Sequence, residues 1–206
     1  MTLAVATSKP EVYARELTAE FGLDPERPTL LVSGGSQGAV SINAAVDGAR
    51  EQILAAGIQI LHVLGLKNFT DADTVVRHAS GAAYLPVPYV ADMAQAYAAA
   101  DLMLGRAGAG TVMETAVSGL PVIFVPLPWG NGEQGRNAAE LVAADAGWLV
   151  EDSSLTPDRL AGLVTSSFAD PGRLTRMSAA CRELYPSDAA DVLAGAVLEI
   201  ARKKGN

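Results

Sequence analysis

The residues Gly34-Gly35-Ser36-Gln37-Gly38-Ala39 stand between the apolar run Pro28-Thr29-Leu30-Leu31-Val32 and a stretch that carries Ile42, Val46, Ala49 and Ile53 at helical spacing. A glycine turn that feeds a strand into a helix leaves the first backbone N–H groups of that helix without partners and aims the positive end of its dipole outward. Such a turn is a seat for an anion, and Ser36 adds a hydroxyl donor to it. The plainer reading is a tight turn that needs glycine for steric reasons alone. The spacing is not G-x-G-x-x-G, no acidic residue ends the strand Ile58 to Leu64, and G-x-x-x-x-G-K-[ST] is absent, so neither common nucleotide-loop signature applies.

Gly105-Arg106-Ala107-Gly108-Ala109-Gly110-Thr111 repeats the arrangement, with Glu114 one turn inside the helix that follows. A carboxylate near a helix start is often there for the dipole alone. Beside a loop that can cradle a diphosphate, however, the same carboxylate could accept from both hydroxyls of a ribose, and the two loops together describe a nucleotide site. A third loop, Pro126-Leu127-Pro128-Trp129-Gly130-Asn131-Gly132-Glu133-Gln134, sets rigid prolines beside an amide, a carboxylate and an aromatic face, the groups that read sugar hydroxyls. An ordinary polar connection would have a similar composition. Asn137, one turn further, reads as a solvent-facing helix residue, and His62 and His78 read as structural or surface histidines rather than catalytic ones.

The elements that must hold these loops alternate regularly. Ser8-Lys9-Pro10-Glu11 has the form of a capping box before a helix running to Phe21. Strands are expected at Pro28 to Val32, Ile58 to Leu64, Ala82 to Leu85, Leu102 to Leu104, Val122 to Val125 and Trp148 to Val150. Helices are expected at Ile42 to Ile53, Val90 to Ala100, Gly110 to Ser118 and Gln134 to Asp145. Strands that are continuously apolar rather than alternating belong to a sheet covered on both faces. The chain is therefore expected to be an α/β domain with a doubly wound six-stranded parallel sheet. Helices starting at Thr156-Pro157, after Pro171, and from Ser187 to Lys203 complete it. In such a sheet ligands bind beyond the carboxyl ends of the strands, which is where the glycine loops lie.

With 206 residues, 50% of them hydrophobic, one substantial core is expected, spanning residues 1–206 as a single domain. A net charge of −8 and the lack of any basic stripe apart from Arg202-Lys203-Lys204 argue against a nucleic-acid partner. Cys181 is the only cysteine, which excludes an internal disulfide or a cysteine zinc cluster and fits a reducing cytoplasm. No apolar run reaches the roughly 20 residues of a membrane-spanning helix, and Met1 to Thr7 lacks the form of a signal peptide.

The run Leu31-Val32-Ser33-Gly34-Gly35-Ser36-Gln37-Gly38-Ala39 with Asn43, then Tyr89-Val90-Ala91-Asp92-Met93, Arg106 to Glu114, Gly119-Leu120-Pro121 and Gly130-Asn131-Gly132-Glu133-Gln134 closely resembles the MurG family. These glycosyltransferases add N-acetylglucosamine to the undecaprenyl-linked muramyl-pentapeptide precursor of peptidoglycan. The resemblance runs from about residue 10 to the end, with several motifs in order. It implies the donor-binding half of a GT-B glycosyltransferase, with UDP-N-acetylglucosamine as substrate and no cofactor required in this chain. By this resemblance Gly35 and Ser36 lie at the donor and the backbone of Val90 beside uracil. The N–H groups of Ala109, Gly110 and Thr111 meet the diphosphate, Glu114 the ribose hydroxyls, and Glu133 and Gln134 the sugar.

The same resemblance implies an inverting transfer in which an acceptor hydroxyl displaces UDP, at the cytoplasmic face of the plasma membrane. The family's N-terminal domain, with its G-G-T-G-G-H loop, the lipid-linked acceptor and the expected catalytic base, has no counterpart in this sequence; nor does the arginine near the family's interdomain linker. That domain is expected in cis or in trans, and the catalytic residues of this chain are unknown. Alternatives are a UDP-sugar-binding module or half-enzyme inactive without a partner domain, and one half of a GT-B-type UDP-N-acetylglucosamine epimerase. Asp71-Ala72-Asp73 has the D-x-D form that holds a divalent ion in another glycosyltransferase fold, but it stands outside the glycine loops, and no metal site is expected.

Overall fold

The computed structural model describes residues 22–35, 37–170, 172–185 and 194. The expected helix from Ser8 to Phe21, Ser36, Pro171 and, apart from Ala194, the final helix from Ser187 to Lys203 lie outside the described residues.

The described chain runs β1 (Thr29–Ser33), α1 (Val40–Ala55), β2 (Gln59–Val63), β3 (Val76–Arg77), β4 (Ala83–Val87), α2 (Met93–Ala98), β5 (Leu102–Gly105), α3 (Ala109–Ser118), β6 (Val122–Phe124), α4 (Glu133–Ala143) and β7 (Gly147–Leu149). A 3₁₀ turn (Asp152–Ser154), α5 (Pro157–Ala169) and α6 (Arg173–Leu184) follow. The strands form one sheet in the order β3-β4-β2-β1-β5-β6-β7. All neighbours are parallel except β3, which pairs antiparallel with β4 through Val76 opposite Tyr84 and Arg77 opposite Ala83. The sheet thus has seven strands where six are expected from sequence. The extra one is two exposed residues long and carries no periodic signal to read.

The apolar strands are buried on both faces. Leu30 and Val32 of β1 turn to one side, with Ile60, Leu102, Leu104 and Ile123, against α1 and α5. Leu31 turns to the other, with Leu61, Met103, Val122 and Phe124, against Val112 of α3, Leu141 of α4 and Cys181 of α6. Successive strand residues point to opposite faces, so two cores of this kind are what continuously apolar strands require. Truncating a fully buried side chain such as Leu31 or Phe124 to alanine would cost about 2–5 kcal/mol.

Capping follows the sequence where the signal is strong. The hydroxyl of Thr156 accepts from the backbone N–H of Arg159, and Pro157 opens α5. The helix expected from Val90 to Ala100 is shorter, Met93–Ala98, because the Asp92 carboxylate accepts from Ala94 N and starts the helix there. Among the described residues no helix is long and apolar enough to cross a membrane.

Candidate functional site

β1 and β5 are adjacent parallel strands with Ser33 opposite Gly105, so the first two glycine loops leave the sheet side by side at one level. The chain passes from β1 to β2 on one side and reaches β5 on the other, which makes this pair the point where strand order reverses. Both loops end in helices without a side-chain cap. Asn43 N donates to Ala39 O at 2.9 Å and Val112 N to Gly108 O at 3.0 Å, as the first helical bonds of α1 and α3. The N–H groups of Val40, Ser41 and Ile42, and those of Ala109, Gly110 and Thr111, therefore precede any helical acceptor. Ala109 and Gly110 are exposed, and Thr111 is half-buried. Gly35 is exposed with φ +90°, and Gly38 N donates to Gly35 O at 2.9 Å, closing the turn. Two helix starts without side-chain caps thus follow adjacent strands, an arrangement able to hold an anion.

Glu114 is exposed one turn into α3, and its Oε2 accepts from the Tyr97 hydroxyl at 2.9 Å. Tyr97 sits on α2 and is only 6% exposed. Burial, the hydrogen bond to Glu114 and its charge push the phenol well above its ordinary pKa, so it remains the donor. The segment entering α2 is anchored by the buried side chain of Val90.

In the third loop, Trp129 is 71% exposed at the tip. Gln134 is half-buried and its Oε1 accepts from Leu127 N at 3.1 Å, which leaves the amide hydrogens as its remaining polar function. Glu133 is exposed in the first turn of α4. The loop is further tied by Arg136, whose Nη1 donates to Asn131 O at 2.7 Å.

Several residues that fasten the loops carry no local sequence signal. The guanidinium of Arg106 donates to the carbonyls of Val125 and Pro126 at 3.1 and 3.2 Å, to Ser41 Oγ at 2.9 Å, and to the carboxylate of Asp152. Ser41 Oγ in turn donates to Asp152 at 2.7 Å. Burial opposes ionisation of Asp152, but the hydrogen bonds from Ser41 and Arg106 and the Arg106 charge outweigh it and hold its pKa low. One arginine thus ties the first turn of α1 to the segments after β5, β6 and β7. Asn137 does not face solvent as expected from sequence: its Nδ2 donates to Ala107 O at 3.1 Å, fixing the second loop to α4.

His62 is buried toward the C-terminal end of β2, with Nε2 3.1 Å from Asn43 Oδ1 and Nδ1 3.1 Å from the Tyr84 hydroxyl. Asn43 Nδ2 donates to Leu64 O at 3.1 Å, so its Oδ1 must accept from Nε2–H, and Nδ1 must accept from Tyr84. The tautomer is thereby fixed. Burial lowers the His62 pKa to about 4, with Asp73 raising it slightly and Arg50 lowering it. This chain of donors ends at Leu64 O, which also accepts from Asn68 Nδ2 at 3.0 Å, while the same amide reaches Gln37 O in the first glycine loop. The histidine is a structural one, as read from sequence, and its partners reach the site.

The other sequence candidates stand apart. Asp73 Oδ2 accepts from Thr70 N and Oγ1 in an exposed turn, and His78 Nε2 pairs with Glu51 at the surface, 3.3 Å away. Among the described residues no cluster of three or more His, Cys, Asp or Glu is arranged to hold a metal ion.

The family profile of the glycosyltransferase family 28 C-terminal domain matches residues 29–193. The chain is 56% identical over 183 residues to the UDP-N-acetylglucosamine--N-acetylmuramyl-(pentapeptide) pyrophosphoryl-undecaprenol N-acetylglucosamine transferase of Cutibacterium acnes, covering 89% of this chain and 49% of that protein. It is 50% identical over 196 residues to the transferase of the same name from Streptomyces avermitilis, covering 95% and 53%. Among solved structures, a crystal structure of Acinetobacter baumannii MurG is similar with a TM-score of 0.73 at 26% identity, over 95% of this chain and 54% of that one. The calicheamicin glycosyltransferase CalG4 shares the fold, with a TM-score of 0.61 at 19% identity over 84% and 42%. The chain spans about half the length of the curated relatives it matches.

Proposed function

We propose that this chain, which belongs to the glycosyltransferase family 28 C-terminal domain family, is the donor-binding half of an inverting glycosyltransferase that takes UDP-N-acetylglucosamine and delivers the sugar to the lipid-linked muramyl-pentapeptide acceptor. The observation that carries the reading is the pairing of Ser33 with Gly105, which sets two uncapped helix starts side by side at the switch in strand order, with Glu114 one turn beyond. Gly35 and Ser36, with the free N–H groups of Ala109, Gly110 and Thr111, take the diphosphate. The backbone of Val90 takes uracil, Glu114 accepts from the ribose hydroxyls, and Gln134 donates to the sugar, with Glu133 beside it.

In the reaction an acceptor hydroxyl oxygen forms the new bond to the anomeric carbon, the bond from that carbon to the diphosphate oxygen breaks, and the electron pair leaves with UDP. The acceptor's proton passes to a base outside these residues. Negative charge grows on the leaving diphosphate, and fixed helix N-termini stabilise that growth without reorganising. Their contribution requires no protein-bound metal. The coverage of half of each relative favours one further reading: the chain binds the donor by itself and turns it over only with the N-terminal half, in cis or in trans, which brings the acceptor at the cytoplasmic face of the membrane.

Calorimetric titration with UDP-N-acetylglucosamine, UDP-glucose and UDP, repeated on Glu114→Ala, tests the assignment. Selective binding without added metal that collapses in the variant is the expected result. A parent chain that binds none of the three, or a variant that binds them as tightly as the parent, would overturn it.

A further inference from the structure

Resting on the donor-site reading above, we propose that Tyr97 is a positioning residue for ribose recognition: its buried phenol holds Oε2 of Glu114 and so presents the carboxylate to the nucleoside. Glu114 alone is poorly suited to the task. It is an exposed side chain with three rotatable bonds on the surface of α3, and water competes for both of its oxygens. The Tyr97 hydroxyl donates to Oε2 at 2.9 Å from a side chain that is 6% exposed, and leaves Oε1 as the oxygen that no described residue engages.

The origin of Tyr97 gives the contact a second consequence. It stands on α2, a helix of six residues whose entry is fixed by the buried Val90 and by the Asp92 cap. The segment read as lying beside the base and the carboxylate read as meeting the ribose are thus joined by one short helix. The Ala96 and Tyr97 side chains of that element pack in the core beside Val112 and Ala116 of α3.

The role is tested by titrating the parent chain, Tyr97→Phe and Glu114→Gln with UDP and with 2′,3′-dideoxy-UDP, and comparing the ratio of the two affinities. The phenylalanine keeps the packed ring and removes only the donor. Tyr97→Phe is expected to weaken UDP about fivefold, as loss of one hydrogen bond near solvent would, while the dideoxy nucleotide binds as it does to the parent. Equal weakening of both nucleotides would mean that Tyr97 serves only to hold the fold. An unchanged ratio in Tyr97→Phe alongside a collapsed ratio in Glu114→Gln would refute the role of Tyr97 and leave that of Glu114 standing. A parent chain that does not bind UDP would remove the donor-site reading and this inference with it; one that binds UDP but does not prefer it to the dideoxy form would overturn the ribose role of Glu114, and with it that of Tyr97, while the donor site stands.

Discussion

Arg106 and Asp152, 46 positions apart in the chain, form a shielded ion pair that draws the loop after β7 against the glycine loop after β5. Their side chains are 11% and 16% exposed. Removing one charge from so shielded a pair leaves the other without compensation.

Asp152→Asn is therefore expected to lower stability by about 2 kcal/mol near neutral pH, read from urea unfolding. Because the folded-state pKa of Asp152 is depressed, its contribution is complete above the ordinary aspartate value of about 4 and is lost as pH falls through the lower folded value. The gap between parent and variant should stay level from neutral pH down to about 5 and close below about 4. A gap that persists unchanged in acid would contradict the pairing.

His62 makes the window just above that one informative. It is neutral when folded down to about pH 4, whereas the unfolded histidine takes a proton near 6.5. The unfolded state therefore binds more protons in that window, and stability should fall as pH drops from 6.5 to 4, by up to about 3 kcal/mol. In His62→Gln this slope should shrink, and an unaltered slope would point to other groups.

Gly38 and Gly35 both have positive φ, +73° and +90°, yet alanine should act differently at the two. A Cβ on Gly38 would overlap the Leu64 carbonyl and the Asn68 amide, whereas one on Gly35 meets nothing within 4 Å. Gly35→Ala should cost about 1 kcal/mol of backbone strain, and Gly38→Ala more than about 2 kcal/mol together with loss of nucleotide binding. Equal effects in thermal unfolding would show that the turn relaxes around the added methyl.

The role proposed for Gln134 can be tested by separating sugar from nucleotide. Gln134→Ala should weaken UDP-N-acetylglucosamine about tenfold and UDP by less than about twofold, the loss of one hydrogen-bonding side chain at the sugar alone. Parallel losses for both ligands in calorimetry would place its effect on the loop, through Leu127, rather than on the sugar.

What the sequence reveals here depends on how local each signal is. Continuous apolar runs such as Leu30 to Val32 and Val122 to Phe124 mark strands buried on two faces, whereas the edge strand β7, Gly147–Leu149, is only partly buried. Thr156-Pro157 announces α5 because a cap and an N1 proline act within one turn. The antiparallel strand Val76–Arg77 has no such mark, since it exists only because β4 offers it an edge. The glycine loops can be read as anion seats because the property belongs to the turn itself. Arg106, Asn137 and Tyr97 cannot be read in the same way: each acts on a partner 17 to 46 positions away, and only the fold brings them together.

The bonds from Asn43 to Leu64, Asn68 to Gln37, Arg106 to Val125 and Pro126, and Asn137 to Ala107 fasten the site loops to one another through main-chain carbonyls. The conformational entropy of those loops is consequently surrendered when the chain folds, before any ligand arrives. If these loops hold a nucleotide sugar as proposed, its affinity is not diminished by the freezing of the backbone that these bonds already fix. The cradle is in this sense a product of folding, and variation in ligand preference can arise from the side chains at its rim while the cradle itself stays the same.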